Sequence, residues 1–157
     1  MAVVSQALQD QLIDHEHLQQ QLANQPPTKV LKDALCAGQA TLDALFVEHQ
    51  ETRVYELVHA RAWMVDQILC LAWQQYDWPK QAALVAVGGY GRSELHPQSD
   101  IDLLILLADD LPEHCWHSCT EQFITFIWDL GLQIGSSVRS LNDCYEQANG
   151  DITIATS

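Results

Sequence analysis

One stretch constrains this chain more than any other: Leu84 to Leu107, LVAVGGYGRSELHPQSDIDLLILL. Two apolar runs, LVAV and IDLLILL, flank a glycine-rich turn and a polar connection, which predicts a strand, a turn and a second, buried strand. Gly88, Gly89 and Gly91 permit backbone conformations and close approaches that a Cβ would block. Asp100 and Asp102 open the second strand at the strand period, so both carboxylates point to one face and Ile101 and Leu103 to the other. A third β-type run, LQIGSSVR from Leu132 to Arg139, follows a helical stretch. That helix is marked by Asp110 and Glu113 at capping-box spacing, Pro112 in its first turn and Gly131 as its stop, with Trp116, Phe123, Ile127 and Leu130 facing inward.

The residues before Trp78-Pro79 have a different character. Residues 3 to 23 predict one helix, ended by Pro26-Pro27, and Thr28 is positioned to cap the next. Leu31, Leu35, Leu42, Leu45, Leu57, Ile68 and Leu69 then mark an apolar stripe reaching about Trp73, whose length predicts two helices broken near Gly38 or between His49 and Thr52. The chain as a whole is therefore expected to be α+β, with a helical region over residues 1–78 and a mixed core over 79–157. Apolar residues resume after Asp151, so a further element is expected there and the core is expected to be incomplete at Ser157.

Charge narrows the chemistry. Twenty-one acidic residues against 7 basic ones give a net charge of -14, which repels a polyphosphate backbone and argues against a nucleic-acid partner. No apolar run is long enough for a membrane span, and the N-terminus lacks the pattern of a signal peptide. The 5 cysteines include no CxxC pair, which fits reduced thiols and a cytoplasmic location.

Within the constraining stretch, two neighbouring carboxylates repel unless a cation sits between them, and Mg2+ with its preference for oxygen ligands and phosphates fits that role. The glycine amides can face triphosphate oxygens, and Arg92 adds a cation at the same edge. A dinucleotide-binding glycine fingerprint fails because Glu94 stands where its last glycine belongs, and a P-loop fails for want of Gly-Lys-Ser/Thr. Taken singly, the glycines would be a tight turn and the aspartates a polar strand start. Together they place charge at the head of a buried strand, which is costly without a ligand.

The combination closely resembles the motif of the DNA-polymerase-β-like nucleotidyltransferase superfamily, Gly-Gly or Gly-Ser followed at this spacing by Asp-x-Asp. VGGYGRSELHPQSDIDLLIL, continued by WDLGLQIGSSVRSLNDC, resembles more closely the bacterial bifunctional uridylyltransferase/uridylyl-removing family that modifies the PII nitrogen-signalling protein. The resemblance implies Asp100 and Asp102 as catalytic metal ligands for Mg2+, Gly88, Gly89 and Arg92 as nucleotide contacts, and transfer of UMP from UTP to a tyrosine of PII. It also implies a third carboxylate on a later strand. Gln133 to Arg139 contains none, and Asp151 is the nearest candidate. The HD hydrolase and ACT domains of that family have no counterpart in these residues, so the alternative is a fragment without activity that serves as a folding or interaction module.

Other chemistry-bearing residues have ordinary readings. His114, Cys115, His117 and Cys119 lie too close together on one helix to surround a zinc ion, and His15 and His17 read as surface residues. Glu94 and His96 suit turn hydrogen bonding, Arg139 suits a salt bridge or a phosphate, and the tryptophans suit packing.

Overall fold

The computed structural model describes residues 4–49, 53–96 and 99–150. Four helices come first: α1 (Gln6–Leu12), α2 (His15–Asn24), α3 (Pro27–Glu48) and α4 (Val54–Trp73). Strand β1 (Ala82–Val87) runs into the short helix α5 (Gly88–Gly91), and β2 (Ile101–Leu107) follows. A 3-10 turn at Glu113–Cys115 leads into α6 (His117–Asp129), then β3 (Ile134–Ser140) and α7 (Leu141–Gly150) complete an α+β fold.

The N-terminal helix is two helices, not one. The Asp14 carboxylate accepts the His17 amide at 3.1 Å and starts α2, while Ile13 is extended and buried. Pro26 and Pro27 occupy the cap and first position of α3, so Thr28 lies inside the helix instead of capping it. The break in the long apolar stripe falls after Glu48; α3 runs straight through Gly38. That glycine serves close packing, since a Cβ there would collide with the Met64 sulfur on α4.

The predicted capping box at Asp110 and Glu113 does not form. Pro112 is extended, with ψ 145°, and α6 begins only at His117, after the 3-10 turn. A reciprocal box forms instead at the start of α7, where the Asp143 amide donates to Ser140 Oγ at 3.0 Å and the Ser140 amide donates to Asp143 Oδ2 at 3.1 Å. The stop at Gly131 is as expected, with φ +87°.

The sheet has the order β1-β2-β3, with β1 antiparallel and β3 parallel to the central strand. Ile101, Leu103, Ile105 and Leu107 are buried while Asp102, Leu104 and Leu106 are half-buried, the alternation expected of a sheet with one fully covered face. The covered face joins α3, α4 and α6 in one hydrophobic cluster. Phe123 of α6 is 0% exposed at its centre. Trp73 and Trp78 stack with centroids 3.8 Å apart, and both meet the Phe123 ring edge-on.

Candidate active site

The sheet register places the site. Asp102 is paired with Val87 on one side and Gly135 on the other, so it lies beside the end of β1 and the start of β3. Gly88 has φ +64°, a conformation that lets the chain leave β1 directly into the turn. A Cβ on Gly88 would stand 2.9 Å from Asp102 Oδ2, and a Cβ on Gly135 would stand 2.9 Å from Asp102 Oδ1. The carboxylate thus occupies a slot that exists because both neighbours lack side chains.

A cavity of about 550 Å3 opens from this slot, lined by Gly88, Asp102, Ser136, Ser137, Arg139 and Cys144 among others. Asp100 is exposed, stands just before β2, and lines a neighbouring depression with Trp128 and Gly135. Gly135 belongs to both hollows, so the two carboxylates open onto adjoining surfaces. Among the described residues neither accepts a hydrogen bond or forms an ion pair. Their oxygens are left to water or an external cation.

Arg92 is exposed, its Nη2 lying 3.7 Å from the position a Gly89 Cβ would take, and its Nε is 4.0 Å from Glu94 Oε2. Arg139 lines the Asp102 cavity without an ion pair among the described residues. No group of three or more His, Cys, Asp and Glu side chains gathers into a metal-sized cluster among the described residues, and Asp151 lies outside them. His117 is engaged by Glu113 and Glu121, and Cys119 by the Asp77 carbonyl.

A model of the nucleotidyltransferase domain matches residues 69–147, a stretch that holds the glycine turn and both aspartates. The chain belongs to the nucleotidyltransferase domain family. It is homologous to bifunctional uridylyltransferase/uridylyl-removing enzymes. It is 48% identical over 148 residues to that of Azotobacter vinelandii, with 92% of this chain and 16% of the relative covered. It is 48% identical over 150 residues to that of Pseudomonas entomophila and 47% over 149 residues to that of Pseudomonas putida, in each case covering 93% of this chain and 16% of the relative. The chain thus spans about one sixth of the length of the curated relatives it matches. No solved structure gives a significant match. No helix among the described residues is long and apolar enough to cross a membrane.

The glycine turn and the connection after it also meet residues that the sequence did not single out. Tyr90, inside the glycine turn, is 4% exposed and donates its hydroxyl to Asp66 Oδ1 on α4. Burial raises the Asp66 carboxyl above its usual range against the opposing effect of that bond, and burial together with Asp66 raises the Tyr90 hydroxyl. Arg61, also on α4, donates from Nη1 to the His96 carbonyl at 2.5 Å and from Nε to Gln39 Oε1 at 3.2 Å. Burial lowers its pKa, with Asp43 acting in the opposite direction. The one available signal was that Arg61 and Asp66 are set among the apolar Leu57, Met64, Val65 and Ile68.

Proposed function

We propose that this chain is the nucleotidyltransferase segment of an enzyme that transfers UMP from UTP to a tyrosine of the PII protein and releases pyrophosphate. The observation that carries the reading is the Asp102 carboxylate, seated between Gly88 and Gly135 where β1 enters the glycine turn and without a protein partner among the described residues. The sequence likeness to uridylyltransferase/uridylyl-removing enzymes supports a uridylyl group as the one transferred, and PII is the acceptor that the motif resemblance implies. The donor set suits Mg2+, because both side chains offer only oxygens and, among the described residues, no protein donor claims their lone pairs. Asp100 and Asp102 would hold it, and when bound it supplies charge that offsets what builds up on the attacking and leaving oxygens.

The remaining roles fall to the chain itself. Gly88 and Gly89 bring backbone close to the triphosphate, and Arg92 reaches its oxygens from the exposed side of the turn. Arg139 offers a second cation in the lining of the Asp102 cavity. The tyrosine hydroxyl gives up its proton to solvent as its oxygen bonds to the α-phosphorus, the bond from that phosphorus to the α–β bridging oxygen breaks, and pyrophosphate leaves with the electron pair. Residues 1–78 form the helical extension and 79–157 the transferase core, in a cytoplasmic protein. The charge of -14 disfavours a nucleic-acid acceptor.

The test is transfer of label to PII from UTP carrying 32P at either the α or the γ phosphate. Label should pass from the α position only and vanish in the Asp100→Asn/Asp102→Asn variant. Transfer from the γ position, or transfer indifferent to the double substitution, would sink the reading.

A further inference from the structure

Helix α4 is bonded both to the glycine turn and to the connection that follows it. Tyr90, flanked by Gly89 and Gly91, reaches Asp66, and the carbonyl of His96 beyond the turn accepts from Arg61. Arg61 and Asp66 are both partly removed from water, and neither forms an ion pair among the described residues. Their desolvation is therefore offset by bonds to the turn region and to Gln39. The turn itself needs such support. Gly88, the first residue of α5, and Ser93, two residues past its end, have φ +64° and +60°, and for serine that conformation is strained. A segment with three glycines in four residues would otherwise sample many shapes.

We propose that Asp66 is a positioning residue: through the Tyr90 hydroxyl it fixes the turn that presents Gly88 and Gly89 to the nucleotide, while Arg61 holds the connection at His96. This rests on the nucleotide-binding reading above. It gives α4 a part in the chemistry without contact to substrate. A carboxylate accepting a phenolic hydroxyl makes a charge-assisted bond, stronger than a neutral one, so losing it should loosen the turn measurably. Asparagine at position 66 keeps an acceptor for Tyr90, whereas leucine of similar volume does not.

The experiment is amide hydrogen exchange on the full chain and its Tyr90→Phe, Asp66→Leu and Asp66→Asn variants, with α6 as internal reference for global opening. In Y90F and D66L the amides of residues 88–94 should exchange about tenfold faster while α6 is unchanged, and D66N should stay within about threefold of the parent. Unchanged exchange at the turn in Y90F overturns the proposal. So does faster exchange at the turn that merely keeps step with α6, because the pair would then be a general stability element. Calorimetric titration with Mg·UTP adds the functional readout: Y90F should bind about tenfold more weakly and D66N near the parent value. A parent chain that binds no Mg·UTP would refute the nucleotide reading, and the exchange data would still decide the tether.

Discussion

Two alanine substitutions separate the features of the site that the structure places against Asp102. Gly88→Ala and Gly135→Ala each put a methyl carbon 2.9 Å from a different oxygen of the same carboxylate. The contact is with the end of a side chain, so the carboxylate can swing aside at an off-rotamer cost of about 0.5–1.5 kcal/mol. Both changes also reduce the freedom of the unfolded chain, which returns about 0.4–1 kcal/mol. Only Gly88 adds a third contribution, because at φ +64° an alanine carries a left-handed penalty of about 1–2 kcal/mol. The shared effects cancel in the comparison. G135A should unfold within about 1 kcal/mol of the parent, and G88A about 1–2 kcal/mol below G135A, measured by urea denaturation followed by tryptophan fluorescence. Both should nevertheless weaken Mg·UTP binding, since each displaces Asp102. Equal stability losses in the two variants would refute the backbone argument, and G135A binding as tightly as the parent would refute the placement of the carboxylate.

Burial raises the Asp66 carboxyl pKa in the fold, so the folded chain holds that proton to higher pH than the unfolded chain does. Its contribution is fully present below the ordinary aspartate range and is lost as pH rises through the raised value. The parent should therefore lose stability relative to Asp66→Asn across that window, and urea midpoints that diverge in the opposite direction would contradict the burial of Asp66. Phe123→Ala empties the centre of the core where Trp73 and Trp78 meet, and should cost about 3–5 kcal/mol in urea unfolding. A loss below about 1 kcal/mol would mean that the aromatic cluster is not packed as described.

The parts of the fold legible in advance were those set by local chemistry. The alternation Ile101, Leu103, Ile105, Leu107 against Asp102, Leu104, Leu106 is a strand pattern in the sequence, and burial follows it. Gly131 ended its helix because glycine takes the left-handed conformation at no steric cost. The errors came from choosing among equally local signals. Asp110/Glu113 and Ser140/Asp143 both have box spacing, and the extended Pro112 left only the second at a helix start. The split between α1 and α2 was foreshadowed by the step from Leu12 to Leu18, which breaks the four-residue rhythm on either side.

The site divided along the same line. The candidate residues Gly88, Gly89, Asp100 and Asp102 lie within one short stretch, where residue type and spacing alone suggest phosphate and metal ligation. Gly135 gains its meaning only from strand register, which pairs it with Asp102 across 33 positions of sequence. Asp66 and Arg61 gain theirs from the packing of α4 beside the turn, with partners 24 and 35 residues away. Such tertiary partners leave no periodic or spacing signal for a single sequence to display.

The most direct test of the central claim is calorimetric titration of UTP into the chain with and without Mg2+, repeated on the Asp100→Asn/Asp102→Asn variant. Binding should require both the cation and the carboxylates, and should exceed that of ATP and CTP in competition. UTP binding of equal strength without Mg2+, or in the double variant, would contradict the assignment of Asp100 and Asp102 as the metal-bearing pair.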